Sequence, residues 1–349
     1  MRRVHSDLDP APARAVRPED RSVTRINAIV ALGVLALAAS LPLWLAHSAF
    51  LLNVALVTLI FTAAAIAWNI VAYGGQISFG HSVFFGLGAY ATVLLKVDFN
   101  LTPWLGIFVS GLLAAIVAVG IGMLSLRQRG IYFALVTFAL TLIFSILAVH
   151  FEGLTGGDVG LSVPLLGNAP TQFQFTSKIW YYYIALAFVA AFFAIAAWVY
   201  SSRLGLSLRA IRDDENAARA CGVKTVQLKI VTLALSGLLT GIIGGVYVQS
   251  TLFIDPNTAF GANTAIQIAL IAIAGGMGRL CGPLVGGIIL VPLQQVLGAS
   301  LWGWPAGLNL ALYAIVVLTI LLLDPRGMVD LAEGIAATAR RLVLRGAKT

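Results

Sequence analysis

The amino-acid sequence predicts an all-α polytopic membrane protein, and its composition and its long apolar runs carry that prediction. Of its 349 residues 60% are hydrophobic, only 10% are charged, and the mean hydropathy is +0.95. A soluble domain of this length would need far more charge. The apolar residues also form uncharged runs close to the length of about 20 residues that a helix needs to cross a hydrocarbon layer of about 30 Å. There are about ten such segments, at 27–46, 50–73, 77–95, 103–124, 131–150, 179–200, 230–250, 264–278, 282–298 and 305–323.

The distribution of basic residues predicts the orientation of these segments. If the segments alternate in direction, 20 of the 22 Lys and Arg residues lie on one side, and only Lys96 and Lys178 lie on the other. Short cytoplasmic loops carry the excess of basic residues in membrane proteins. Both chain termini are therefore expected to be cytoplasmic. The net charge of +8 thus indicates membrane orientation rather than binding of nucleic acid.

The segments outside the spans differ in composition. Residues 1–26 are rich in charge and proline, so we expect a flexible cytoplasmic arm, and residues 326–349 are expected to form a cytoplasmic tail. Residues 27–325 form the transmembrane domain. Its first apolar run is longer than the apolar core of a signal peptide, so we expect it to be retained. In the predicted periplasmic loop 151–178, Gly and Pro forbid a continuous helix, and both a packed lid and a solvated connector fit this composition.

The sequence lacks the motifs of common nucleotide-hydrolysing and other hydrolytic enzymes. It contains no Gly-x-x-x-x-Gly-Lys-Ser/Thr loop, no serine nucleophile elbow and no His-Glu-x-x-His run. Its two cysteines, Cys221 and Cys281, indicate neither a disulfide nor a metal site. No charged residue lies well inside a span, whereas proton-coupled transporters keep one as a relay. We expect no catalytic residue, cofactor or metal, and either energy from a partner or passive transport.

A Gly-rich stretch at residues 74–90 separates the second and third spans. Close helix packing through its glycines is the simpler interpretation. The alternative is a polar solute path, because irregular backbone at membrane depth occurs where it lines a cavity. Polar side chains within the spans have the same two interpretations, since they also link helices. The candidates for a translocation path are Asn69, Gln76, Ser78, His81 and Thr137.

A second Gly-rich stretch, residues 275–287, separates the eighth and ninth segments. These two segments are short for a bilayer and their boundary contains helix breakers, so one or both are expected to be tilted or irregular. Pro283 suits the first turn of a helix. We interpret the stretch as a tight turn between helices on the cytoplasmic side.

Residues 201–229 form the only long charged interval between the apolar spans. Apolar residues recur at helical spacing through Leu206–Cys221 with charges between them, which predicts an amphipathic helix. Gly222 suits the left-handed position that ends a helix. From its residues alone, the interval is either an ordinary basic loop or a short helix presented to a soluble partner.

Five stretches, taken together and in order, resemble the permease subunit of bacterial ABC importers for branched-chain amino acids. They are GGQISFGHSVFFGLGAYATVLL, RGIYFALVTFAL, GLTGGDVGL, LRAIRDDENAARACGVKTVQLK and GGMGRLCGPLVGGIIL, and the resemblance covers about residues 27–325. The long N-terminal arm and the GQISFGH form resemble the longer of the two paired permeases of such a system. The resemblance implies a bacterial inner-membrane protein with a fold similar to the ten-helix vitamin B12 permease, whose halves are related by an inverted repeat.

The resemblance also implies partners and a coupling site. The partners are a second, similar permease, two cytoplasmic ATPase subunits that hydrolyse the ATP, and an extracytoplasmic binding protein. In such importers a cytoplasmic helix with a Glu-Ala-Ala-like stretch followed by Gly docks on each ATPase; here Asn216 interrupts that stretch. We expect the acidic and arginine face around Arg212 to Glu215 to meet the ATPase. The candidate coupling residues are Arg209, Arg212, Asp213, Asp214, Glu215, Ala217, Ala218 and Gly222.

The substrate implied by the resemblance is a branched-chain or related neutral amino acid. Spans without charged residues suit a zwitterion that crosses without tight binding. Related permeases serve urea and short amides, so a permease or stand-alone facilitator for such a solute is the alternative. A membrane-bound enzyme is disfavoured because the sequence contains no catalytic cluster.

Overall fold

The computed structural model describes residues 33–44, 48–125, 128, 130–300, 307–323 and 327–328. The predicted arm 1–26, and the predicted tail 326–349 apart from residues 327–328, lie outside the described residues. The long helices coincide with the uncharged apolar runs, because a helix in lipid satisfies its own backbone N–H and C=O groups.

The described helices follow one another with short connections. In chain order they are α1 Gly33–Trp44, α2 Ala49–Ala72, α3 His81–Val97, α4 Pro103–Ser125, α5 Ile131–His150, α6 Glu152–Thr155, α7 Lys178–Ser201, α8 Arg203–Asp213, α9 Glu215–Ala220, α10 Thr225–Thr251, α11 Pro256–Phe260, α12 Ala262–Gly276, α13 Gly282–Ser300 and α14 Leu308–Leu323. Two short strands, β1 Leu161–Ser162 and β2 Phe253–Ile254, and two 3₁₀ helices, Gly157–Val159 and Pro170–Gln172, lie between them.

Within the described part of the chain, seven helices are long and apolar enough to cross a membrane, if α11 and α12 are taken together. Three shorter apolar helices, α1, α3 and α14, lie in the remaining predicted segments. The chain is therefore an all-α polytopic membrane protein, as predicted. The number of ten spans stays a prediction, because α3 has 17 residues and the segments of α1 and α14 lie only partly within the described residues.

The third helix begins later than predicted, at His81 instead of residue 77. The chain turns at Gly74 and Gly75, where Gly75 has a φ of 73°, and it stays irregular as far as Gly80. Side chains of neighbouring helices bond to this backbone, as described below. We refer to residues 73–80 as the bridging segment.

The eighth predicted segment begins earlier than predicted and is irregular, as expected. Its first turn is α11, where Asp255 accepts a hydrogen bond from the backbone N–H of Thr258 (2.9 Å) and Pro256 occupies the first helical position. Gly261 then interrupts the helix before α12. The ninth segment, α13, contains Pro292 in its interior.

α2 and α10 have the most buried surfaces of the long helices. Trp68 and Ile66 of α2 are fully buried. α3 approaches α10 so closely that a Cβ on Gly88 would overlap the carbonyl oxygen of Gly241. α5 is the least buried of the seven long helices, so much of its surface faces outward.

The loop 151–178 packs onto the predicted extracytoplasmic end of the bundle. Its strand β1 pairs antiparallel with β2, with Leu161 opposite Ile254. Phe173 is fully buried, and the indole N–H of Trp104 donates to the Pro170 carbonyl (2.9 Å). The packed arrangement is therefore the correct one of the two alternatives for this loop.

The connections predicted to be cytoplasmic gather at the opposite end of the bundle. Gly75, Gln128, Arg212 and Lys229, from four separate parts of the chain, line one cleft of about 110 Å³. This arrangement fits the alternating orientation inferred from the basic residues.

Candidate functional site

The charged interval forms two helices, α8 and α9, instead of the single helix predicted over Leu206–Cys221. α8 begins at Arg203, after Ser202, whose hydroxyl accepts a hydrogen bond from the Gly205 N–H (3.4 Å). The break falls at Asp214, which is extended, with φ −156° and ψ 109°. The prediction of one continuous helix was wrong. The helical spacing of apolar residues continues across Asp214, although this residue ends one helix and starts the next. We name α8 and α9 together the coupling pair.

Asp214 is the N-cap of α9. Its carboxylate accepts hydrogen bonds from the backbone N–H groups of Asn216 (2.8 Å) and Ala217 (3.0 Å). Such a cap competes with continuation of the preceding helix. The N–H groups of Ala217 and Asn216 hold the pKa of the Asp214 carboxyl below its ordinary value. Asp214 thus ends α8 and starts α9.

Asp214→Ala is expected to loosen α9, and Asp214→Asn to preserve it, because asparagine is also a good N-cap. Since the folded-state pKa is depressed, the carboxylate stabilises α9 above its ordinary pKa of about 3.9, and this stabilisation is lost as the pH falls through the lowered value. The rate of tryptic cleavage after Arg219, measured near neutral pH, compares the stability of α9 in the wild type and the two Asp214 variants. Asp213→Ala, at the adjacent exposed carboxylate, is the control and should leave the rate unchanged.

The end of α9 agrees with the prediction for Gly222. This residue has a φ of 84°, its N–H donates to the Arg219 carbonyl, and the Val223 N–H donates to the Ala218 carbonyl. These two bonds form a Schellman motif. Gly222 itself is exposed.

Several candidate coupling residues face the bundle instead of solvent. Ala218 is buried, as are Leu208 and Ile211. Glu215 forms an ion pair with Lys229 (2.8 Å) at the start of α10, where the Lys229 side chain is 4% exposed and that of Glu215 is 16% exposed. Arg212, Asp213 and Asp214 of the expected ATPase-facing surface are exposed, whereas the Glu215 carboxylate turns inward to neutralise a buried cation. Which of these residues meet the ATPase stays a prediction.

Arg209 also contacts the bundle. Its guanidinium carbon lies 4.4 Å from the centre of the Tyr200 ring, and its Nη1 donates a hydrogen bond to the Tyr200 carbonyl (3.4 Å). A cation over an aromatic face is attracted by the ring quadrupole. Arg209 thus attaches α8 to the end of α7.

The exposed face of the coupling pair carries charged, polar and small side chains, and Gly222 lies at its end. The exposed residues from Arg203 to Ala220 are Arg203, Leu206, Ala210, Arg212, Asp213, Asp214, Asn216, Ala217, Arg219 and Ala220.

The candidate path residues Ser78 and Thr137 hold the bridging segment. Ser78 is buried, and its carbonyl accepts a hydrogen bond from the indole N–H of Trp68 (2.5 Å). The Thr137 hydroxyl of α5 accepts from the Phe79 N–H (3.0 Å), and the Thr141 hydroxyl donates to the Phe79 carbonyl (2.8 Å). These bonds attach the segment to both α2 and α5.

His81 lies at the start of α3 and is fully buried. Its Nε2 lies 2.7 Å from the hydroxyl of Ser236 on α10, and that hydroxyl donates to the Ala67 carbonyl on α2 (2.6 Å). Because the serine hydrogen is used, we assign the ring hydrogen to Nε2. His81 therefore links α3 to α10 and α2.

Asn69 links α2 to a turn at the predicted cytoplasmic end. Its amide nitrogen donates to the Arg279 carbonyl (2.7 Å), and its amide oxygen accepts from the Gly278 N–H (2.8 Å). The stretch 275–287 forms the expected turn there, between α12 and α13.

Gln76 is the candidate path residue beside an open volume. It is mostly buried and lines the cleft of about 110 Å³ together with Glu215 and Lys229. Four of the five candidates, Asn69, Ser78, His81 and Thr137, are thus bonded to the chain's own groups, and their role in a path stays a prediction.

Sequence reasoning missed Ser236, Lys229, Trp68 and Thr141, which complete these contacts. Lys229 was counted only as an orienting charge, and the others fit the apolar or small-residue pattern of their spans. Their roles depend on contacts distant in sequence: Ser236 lies 155 residues from His81.

The fold and this site together define a class of membrane protein: a polytopic helical bundle with an anchored helical pair in a connection between spans. The chain belongs to the family described as the permease component of the branched-chain amino acid transport system, whose family model matches residues 50–323.

Individual relatives show the same resemblance. The permease protein LivM of the high-affinity branched-chain amino acid transport system of Escherichia coli is 26% identical over 268 residues, covering 70% of this chain and 63% of the relative. The autoinducer 2 import system permease protein LsrC of E. coli is 31% identical over 179 residues, or 50% of this chain and 48% of that protein. The ribose import permease protein RbsC of E. coli is 31% identical over 136 residues, or 37% and 42%. The chain thus spans less than two thirds of the length of the LivM relatives, and no solved structure matches it.

Proposed function

We propose that this chain is the permease subunit of an ATP-driven importer for branched-chain or related neutral amino acids in the bacterial inner membrane. The family match over residues 50–323 carries the proposal. The translocation path forms with a second, similar permease. Two cytoplasmic ATPases supply the energy, and an extracytoplasmic binding protein delivers the substrate.

The exposed face of the coupling pair is the proposed docking surface for an ATPase. The pair is attached to the bundle through Arg209, Glu215 and Ala218, while Asp213 and Ala217 remain on the exposed side. A partner shifts a conformational equilibrium only by its differential affinity for the two states. Because the coupling pair is firmly attached to the spans, an ATPase that binds it shifts the conformational equilibrium of the spans.

A bundle of ten spans of the vitamin B12 permease type is the proposed membrane arrangement. The seven long and three shorter apolar helices of the described residues support that number. The low burial of α5 fits a helix that meets another subunit. Gln76, beside the cleft, is the path candidate that the geometry favours.

The names of the relatives support a second candidate substrate class. LsrC is named for autoinducer 2 and RbsC for ribose. If the binding protein selects the substrate, the same bundle serves other neutral solutes, so urea, a short amide or a sugar is the alternative.

Asp213→Arg tests the docking surface. When the chain is co-expressed with its cognate ATPases, the variant is expected to lower the co-purified ATPase and ATP-dependent leucine uptake by about tenfold or more, because it reverses a charge on the exposed face. Asp158→Arg reverses an exposed charge in the loop 151–178 and is the matched control.

Normal ATPase recovery with Asp213→Arg would contradict the proposed surface. Uptake of leucine or urea by the chain alone, without ATP, would instead identify a facilitator. Uptake of ribose but not leucine by the complete complex would select the second substrate class.

A further inference from the structure

One face of α8 packs against the turn at Gly74 and Gly75, which we call the first glycine turn. Leu208 and Arg212 are one helical turn apart and therefore share a face. A Cβ on Gly74 would lie 3.3 Å from Leu208 Cδ2, and a Cβ on Gly75 would lie 2.8 Å from Arg212 Cγ. The stem of Arg212 thus lies against Gly75, and both residues remain exposed on their other sides.

Arg212 also reaches the second glycine turn, between α12 and α13. A Cβ on Gly278 would lie 2.7 Å from Arg212 Nη1. Gly75 and Gly278 have φ values of 73° and 75°, a conformation that residues with a Cβ rarely adopt. Both turns therefore combine a backbone that favours glycine with space taken by one arginine.

The two turns belong to different helix pairs, and the end of α2 that leads into the first turn is attached to the second. Asn69, near the end of α2, bonds to Gly278 and Arg279 of the second turn. Arg212 therefore lies where α8, the α2–α3 connection and the α12–α13 connection meet.

The bridging segment extends this junction to α5. Thr137 and Thr141 of α5 bond to the backbone of Phe79 within the segment. Because α5 is the least buried long helix, it has fewer packing constraints than α2 or α10. The cleft of about 110 Å³ beside Arg212 also leaves room for the arginine side chain to shift.

We propose that Arg212 is a positioning residue that transmits displacement of α8 to both glycine turns and, through the bridging segment, to α5. It acts inside the permease instead of binding the ATPase. This inference rests on the proposed function, since displacement of α8 requires an ATPase at the coupling pair.

Arg212→Ala in the complete complex, reconstituted in proteoliposomes, tests the proposal. We expect normal ATPase recovery, retained ATP hydrolysis and about a tenfold fall in leucine taken up per ATP hydrolysed, the scale of a typical coupling between sites. Arg203→Ala removes an exposed arginine from the first turn of the same helix and is the matched control.

The proposal and the proposed function fail in different ways. Unchanged uptake per ATP with Arg212→Ala would overturn the positioning role, and so would loss of the co-purified ATPase, which would place Arg212 in the docking surface. Arg212→Lys retains a basic side chain, so it tests the role of the guanidinium even if the alanine variant misfolds. It should keep the complex assembled and give intermediate uptake per ATP. Uptake per ATP equal to that of the wild type would overturn the role of the guanidinium. Absence of ATPase binding by the wild-type chain would contradict the proposed function itself.

Discussion

Gly88→Val is expected to prevent stable folding of the bundle. A Cβ at this position would overlap the backbone carbonyl oxygen of Gly241, so no side-chain rotation relieves the clash, and α3 and α10 must separate. Overpacking costs about 1–3 kcal/mol when side chains can adjust. A clash with a backbone atom is relieved less easily, so we expect its cost to reach or exceed about 3 kcal/mol. A loss of about 3 kcal/mol or more is a large part of the stability of an ordinary protein.

The measurement is the yield of monodisperse protein in detergent and its thermal unfolding midpoint. Gly120→Val is the matched control, because Gly120 is an exposed helical glycine of α4 with nothing within 4 Å of its added Cβ. The control should behave like the wild type. Equal yields and midpoints for the two variants would show that the close approach of α3 to α10 is not required.

Breaking the ion pair between Glu215 and Lys229 is expected to give the second large effect, and the two single variants should differ. Glu215→Gln leaves the cation of Lys229, 4% exposed, without its carboxylate and should cost about 3 kcal/mol or more. Lys229→Met should cost less, because the Glu215 carboxylate is 16% exposed and keeps its contact with Arg219 (3.1 Å).

Unfolding in detergent measures these differences, and the double variant completes the cycle. Glu215→Gln with Lys229→Met should recover part of the loss, because no buried charge is left uncompensated. Arg219→Ala is the control: its side chain is 52% exposed, so its ion pair is worth about 0.5 kcal/mol. Additive effects of the two single variants would show that Glu215 and Lys229 do not stabilise each other.

The features predicted from sequence were those that depend on neighbouring residues. Uncharged apolar runs located the spans, and Gly222 and the stretch 275–287 ended helices where their backbone preferences predict. The charged interval 201–229 indicated a helical surface between spans. Each of these signals is contained in a short window of sequence.

The rest depended on contacts between distant parts of the chain. The helical pattern across residues 206–221 does not reveal that Asp214 caps a second helix, because an aspartate inside a helix and one at its start have the same spacing. Glu215 was assigned to the outer face because its buried partner, Lys229, lies 14 residues further on, in the next helix. The path candidates were selected for polarity, which a helix-linking residue such as Asn69 shares with a solute-binding one.

The bonds of Asn69 also have a consequence for biosynthesis. Its amide oxygen accepts from Gly278, 209 residues further along the chain. At a synthesis rate of about 5–20 residues/s, α2 enters the membrane well before its partner turn exists. Until then its amide must bond to water, lipid headgroups or the insertion machinery, since an unsatisfied polar group in hydrocarbon is costly. A nascent chain that stops before Gly278 would therefore lack the intramolecular partner of this amide oxygen.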